Sequence, residues 1–334
     1  MIVPTKLSLV AGLSLLVATA AAAVDIASTD GGAAAPASPA ATIPALATAH
    51  AEKGLLLSVA RAGDHLLAVG GNGVIVTSRD GASWSQVLTP IDLTLTGIAF
   101  GDANNGWAVG HDALILHTRD AGQHWEIQHY EPDLNAPFFA VIATSRDHAV
   151  AVGAFGLMRQ TTDGGKTWTA LEPAQVVDEK YHLNAATRLP GDRIAVAGER
   201  GLVAFQTSAT EWARSTTPYD GSFFGILPWG DAGAIAYGMR GNVFATDDLA
   251  KGAWRKIDVG TLGSLFGGEV LPGGAVALVG ADGQMIQVSR SGASQPLAPS
   301  INVAGKSSSL AGAVVDGNAL IVAGELGVYS VPLR

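Results

Sequence analysis

Short apolar runs broken by Gly, Asn or Asp recur along most of this chain. Residues 96–130 show one full round of the pattern. TGIAF (Thr96–Phe100) reads as a strand, with GDANNG as the turn after it. WAVG (Trp107–Gly110) and LILHT (Leu114–Thr118) read as a second and third strand, and WEIQHY (Trp125–Tyr130) follows the turn RDAGQH as a fourth. Short apolar or alternating runs bounded by turn-forming residues are the signature of strands and hairpins.

The round repeats. Aligned on the glycine that closes a small apolar strand, the chain gives Gly70, Gly110, Gly153, Gly198, Gly238, Gly280 and Gly324, in steps of 40, 43, 45, 40, 42 and 44 residues. Four strands in such a period is the length of a propeller blade. The predicted fold is all-β: a seven-bladed β-propeller of four-stranded antiparallel blades over residues 42–334. The seventh unit supplies only three strands, at Leu310–Val315, Leu320–Ala323 and Val328–Val331. Counting back from the first inner strand at Leu55 lands on TIPAL (Thr42–Leu46). This N-terminal strand is expected to complete the last blade, which would remove two exposed sheet edges.

A second motif rides on the repeat: Ser/Thr-x-Asp-x-Gly-x-x-Trp. Thr118–Trp125 and Thr161–Trp168 fit it fully, Ser78–Trp84 is one residue short, and Thr207–Trp212 and Thr246–Trp254 keep only the ends. The carboxylate accepts bonds from N–H groups of its own turn, Gly takes the positive-φ position, and Trp lays its ring on the blade. Asp80, Trp84, Asp120, Trp125, Asp163 and Trp168 are therefore structural staples. These residues resemble the Asp-box, or bacterial-neuraminidase, repeat.

Composition agrees with a strand-rich fold: 48% of residues are hydrophobic, 15% are charged and 42 are Gly. With no Cys there is no disulfide, thiolate site or cysteine nucleophile. MIVPTK followed by LSLVAGLSLLVATAAAA reads as a secretory signal peptide cleaved near Ala23, which predicts a periplasmic protein. The alternative is an uncleaved anchor, with an apolar core short for a span. Residues 24–41, rich in Ala, Pro, Gly and Ser, read as a flexible linker. Cleavage removes Lys6 alone, leaving 19 basic against 29 acidic residues and a formal charge of −10. That sign argues against nucleic acid as a partner.

Candidate chemistry is sparse. A glycosidase needs two facing carboxylates; Glu199, Asp282 and Glu325 sit in equivalent turns of separate blades, and nothing in the sequence pairs them. His117, His124 and His129 straddle one outer hairpin without a carboxylate at fixed spacing, so no metal site and no cofactor is expected. The hairpin between second and third strands is more telling. It reads G-x-x-G in six blades, as GGNG, GAFG, GERG, GMRG, GADG and GELG, with GHDA the exception. Its two central residues are free to vary, and they place Arg200 and Arg240 on consecutive blades. Phe138-Phe139, Phe223-Phe224 and Leu265-Phe266 begin inner strands at the same rim. One of each pair is expected to pack between blades and the other to face the channel mouth, with Phe139, Phe224 and Phe266 as the candidates for binding there. Arg200, Arg240, these three rings, Glu199 and Glu325 form the candidate partner-binding set.

The mature chain resembles the photosystem II stability/assembly factor family, exported seven-bladed propellers with degenerate Asp boxes and G-x-R-G turns, here GERG and GMRG. The resemblance implies a non-catalytic assembly scaffold for a membrane complex. Relatives in non-photosynthetic bacteria extend it to an accessory of a resistance-nodulation-division type transporter. The implied partner is a membrane protein or transporter subunit on the periplasmic side, with membrane association only through that partner and a monomeric scaffold. The alternative class is a glycan-binding or sialidase-like propeller.

Overall fold

The second strand of each unit is buried almost end to end, because it lies between two hydrogen-bonded neighbours and under the sheets of adjacent blades. Gly106–Gly110, Ala149–Gly153 and Ile194–Gly198 are buried at every residue, which is why these strands read as continuous apolar runs and not as alternating ones. The computed structural model describes residues 42–303 and 306–333. The expected signal peptide and linker lie outside the described residues.

Each blade is an antiparallel meander hydrogen-bonded in chain order. Blade two runs Leu95–Phe100, Gly106–Gly110, Ile115–Thr118 and Glu126–His129. Six blades have four strands, and the seventh has three, at Leu310–Asp316, Ala319–Gly324 and Gly327–Pro332. All seven first strands line a central channel of about 540 Å³. The meander puts the first-to-second and third-to-fourth turns at one end of the ring. The G-x-x-G turns and the connections between blades lie at the other.

The first strands share a feature that the sequence pattern does not display. Each begins with a fully buried anchor (Leu56, Leu95, Phe138, Leu183, Phe223, Leu265, Leu310) and breaks register immediately after it. This bulge turns the following residue toward the channel. It also brings the connection so close to the second strand that a Cβ on Gly198 would stand 2.1 Å from the His182 carbonyl oxygen. The aligned glycines are thus required by close backbone approach; Gly198 itself has an extended backbone, with φ −166°.

The ring does not close as expected. Thr42–Leu46 forms no strand and does not join the last blade. It lies beside the outer strand of blade one, where the Ala45 N–H donates to the Thr89 carbonyl at 3.1 Å and the Gln86 side-chain amide to the Leu46 carbonyl at 2.9 Å. Pro44, which lacks an N–H, weakens any ladder through this segment. Closure comes from side chains: Leu56, Val59 and Leu66 of blade one pack with Ile321 and Ala323 of blade seven.

The Asp boxes work as turn staples at the end opposite the G-x-x-G turns. In blade two the Gly122 N–H donates to Thr118 Oγ1 at 3.0 Å, the His124 N–H to Asp120 Oδ1 at 2.9 Å, and the Trp125 indole N–H to the Gly122 carbonyl at 3.1 Å. The shortened Ser78 box makes the same set, ending with Trp84 on the Gly81 carbonyl at 3.3 Å. Trp168 differs, donating instead to Gln128 of the preceding blade at 3.1 Å. Asp248 was hidden by irregular spacing, yet its carboxylate accepts the Ala250 N–H at 2.9 Å. The Thr167 N–H and then its hydroxyl, both donating to the carboxylate, hold the Asp163 carboxyl down to about 2. Asp120→Ala is expected to cost about 1.5–3 kcal/mol, the net worth of bonds to a charged acceptor, read as a shifted urea midpoint.

His117 of the outer hairpin is buried against Trp107, with ring centroids 4.9 Å apart and neither ring nitrogen hydrogen-bonded. Burial pushes its pKa down, and does the same to His129 and His148. The unfolded chain therefore takes up these protons first. Stability is expected to be complete above the ordinary imidazole pKa, near 6.5, and to fall as pH drops below it. Denaturation midpoints at successive pH values check this, and His117→Phe should remove part of the loss.

Candidate functional site

The G-x-x-G turns build the rim of the site. Their second central residue adopts the left-handed conformation in five blades: Asn72, Phe155, Arg200, Arg240 and Asp282 all have φ between 54° and 56°. Asn and Asp suit that region; Phe and Arg do so at a cost. The exception GHDA also turns left-handed, at Asp112 and Ala113. The closing glycine continues the turn at Gly201, φ +67°.

Arg200 and Arg240 thus stand exposed on blades four and five. Ten other arginines lie among the described residues, and each has a polar partner, such as Arg214 on Glu179 or Arg119 on Glu126. Arg200 and Arg240 have none among the described residues.

The aromatic pairs divide as their position predicts. Phe138, Phe223 and Leu265 are fully buried between blades, while Phe139, Phe224 and Phe266 line the channel. Phe224 and Phe266 face each other at 5.6 Å between centroids. Phe139 lies 5.7 Å from the His182 ring, which is 4.8 Å from Phe155. Sequence reasoning overlooked Phe155, 60% exposed, and Met239, 39% exposed, although both occupy the variable centre of a G-x-x-G turn. Leu55, just before the first strand of blade one, and Leu262, on the connection between blades five and six, add exposed apolar surface to the same end.

Glu199 and Glu325 are both at the rim but already have a local task. The Glu199 carboxylate accepts the His182 N–H at 2.9 Å, and Glu325 accepts the Ser309 N–H at 3.2 Å, so each braces the chain leading into its own blade's first strand. Asp282 is not their equivalent, since it occupies the left-handed position that Arg200 has in its own turn. The long connection Leu171–Leu183 folds into a helical turn, Ala174–Val177, pinned by buried Val176. Among the described residues no three His, Asp or Glu side chains are arranged to hold a metal ion. No helix among them is long and apolar enough to cross a membrane.

Residues 76–262, more than half of the chain, match the family model described as Photosynthesis system II assembly factor YCF48. Among individual relatives, the Photosystem II assembly lipoprotein Ycf48 of Synechococcus sp. (strain CC9902) is 23% identical over 195 residues, which is 57% of this chain and 58% of that one. The chain thus matches little more than half the length of this relative. Two solved structures share the fold. One, described as YCF48 bound to D1 peptide, is 19% identical with a TM-score of 0.67, covering 85% of this chain and 93% of that one. The other, YCF48 from Cyanidioschyzon merolae, is 17% identical with a TM-score of 0.68, covering 83% and 95%. The repeat, the G-x-R-G turns and the extent of the family match agree: this chain belongs to the Photosynthesis system II assembly factor YCF48 family, a family of assembly factors and not of enzymes.

Proposed function

We propose that this protein is a non-catalytic propeller that holds a segment of a membrane protein against the G-x-x-G end of its ring. One observation carries the reading: Arg200 and Arg240 are the two arginines left unpaired among the described residues, and both project from left-handed turns at the same end of the ring as exposed Phe155 and Met239. Guanidinium and aromatic groups are the types enriched at binding hot spots, and a free fork suits a carboxylate or carbonyl-rich segment. A relative whose structure is described as bound to D1 peptide supports a peptide segment as the occupant.

The finer reading places the protein in the periplasm after signal-peptide cleavage, serving a subunit of a resistance-nodulation-division type transporter. It rests on the leader-like N-terminus and on the family resemblance. The glycosidase alternative lacks its chemistry: among the described residues the channel wall carries one carboxyl, Glu269, where a two-carboxylate enzyme needs two, and no arginine to hold the carboxylate of a sialidase substrate. Affinity capture from a detergent extract of the source organism's membranes tests the proposal. Recovery of one membrane protein in stoichiometric amount is expected. Recovery of none, together with binding to a glycan array, would overturn it.

A further inference from the structure

Seven blades in one register allow each position to be compared with its equivalents in the same molecule. At the second-strand position just past the bulge stand Val69, Val109, Val152, Ala197, Val279 and Ala323; in blade five it is Tyr237. Four residues along the first strand from its anchor stand Ala60, Ala99, Ile142, Thr187, Leu227 and Val314; in blade six it is Glu269. The two exceptions meet. Tyr237 lies opposite Gly225, where a Cβ would stand 2.1 Å from its Cζ, and its hydroxyl reaches Gly268, where a Cβ would stand 3.1 Å away. Other blades place Val, Ile or Ala where Gly268 stands. Two missing side chains therefore admit the phenol to the channel wall beside Glu269, and all three of Tyr237, Gly268 and Glu269 line the channel.

Among the described residues no other titratable side chain lines this wall. Arg61 and Asp316, on the first strands of blades one and seven, are paired with each other. Burial alone acts on the Glu269 carboxyl and holds it up at about 7. Burial, and then the Glu269 charge, push the Tyr237 phenol up. A carboxyl without a counter-charge in an apolar wall costs stability, and six equivalent positions avoid that cost.

We propose that this wall is a binding site for one organic ammonium group, with Glu269 as its counter-ion, the Tyr237 hydroxyl as a second oxygen, and Leu227, Phe224 and Phe266 against its hydrocarbon stem. An anion finds no base in the wall. A divalent metal finds one carboxylate and no imidazole, far short of its coordination needs. An alkylammonium needs one opposite charge and tolerates apolar surface along its stem. The group could belong to a free amine or to a lysine of a bound protein. The site lies in the channel wall and does not depend on the arginine rim.

Binding must expel the Glu269 proton at neutral pH, so affinity rises with pH through about 7. The test is calorimetric titration of the intact protein with butylammonium and with Nα-acetyl-lysine amide, using 1-butanol as the neutral control. Saturable binding is expected at about pH 8, falling roughly thirtyfold at about pH 5.5, where about 3% of such a carboxyl is ionised. At neutral pH, proton release into the buffer accompanies binding. Glu269→Gln, checked for folding by circular dichroism, should lose at least tenfold (about 1.4 kcal/mol), while Arg119→Glu, in an exposed Asp-box turn outside the channel wall, binds normally. Whichever of the two amines binds more tightly identifies the source. No saturation at roughly 10 mM amine, equal affinity for butanol, or affinity independent of pH and of Glu269 would each overturn the proposal.

Discussion

Arg200→Glu combined with Arg240→Glu is expected to weaken capture of the membrane client by about a hundredfold or more, with the fold intact. Each arginine offers a guanidinium with no competing partner among the described residues, so nothing in the free protein must be broken before the client is engaged. A hot-spot arginine is worth about 2 kcal/mol or more on truncation, and reversal adds repulsion where the client is acidic. Because neither side chain stabilises the folded ring through an ion pair, the denaturation midpoint should hardly move. Arg119→Glu is the control. Arg119 projects from the Asp-box end and pairs with Glu126, so its reversal costs at most an exposed ion pair, about 0–1 kcal/mol, and should leave capture unchanged. Loss of capture in the control but not in the double variant would put the binding face at the wrong end.

Gly201→Val is expected to destabilise the protein by about 3 kcal/mol or more. Gly201 has φ +67°, and a Cβ there would stand 1.8 Å from the Tyr219 carbonyl oxygen and 2.7 Å from Thr217 Oγ1. Both obstacles belong to the connection into blade five, which Gly201 also binds through its N–H to the Gly221 carbonyl at 2.7 Å. Relief requires moving backbone, and that disturbs Tyr219, which stacks on Phe244 at 5.4 Å and touches buried Phe223. Gly191→Ala provides the comparison: φ is +77° but nothing lies within 4 Å of a Cβ, so only the left-handed strain of about 1 kcal/mol applies. Urea unfolding of the two variants separates clash from strain. Equal costs would mean that the tight approach at Gly201 is not a constraint.

The architecture was legible because each blade repeats one buried strand ending in glycine, and seven such glycines at near-constant spacing leave few other folds. The half-exposed rings were legible for the same reason, since a pair of apolar residues at a strand start must divide between core and channel. Closure was not. Counting positions placed Thr42–Leu46 on blade seven, but spacing says nothing about which sheet edge a segment meets, and Gln86 and Thr89 of blade one supply its partners. Asp248 was missed because its turn is irregular in length. The burial of His117 was not legible, because it depends on the ring of Trp107, its cross-strand neighbour in the same blade. Tyr237 and Glu269 are unremarked in the sequence, and their meeting depends on the bulge register and on the absence of side chains at Gly225 and Gly268.

A client held at the G-x-x-G end lies within reach of side chains there and of none at the opposite end. Photo-crosslinking from single sites in native membranes tests this most directly, with the reactive group at Phe155 or Met239 on that end and at Lys166 in the Asp-box turn on the other. Phe155 and Met239 are each expected to crosslink to one and the same membrane protein while Lys166 does not. Crosslinks from Lys166 alone, or from no position in membranes that contain the folded protein, would contradict it.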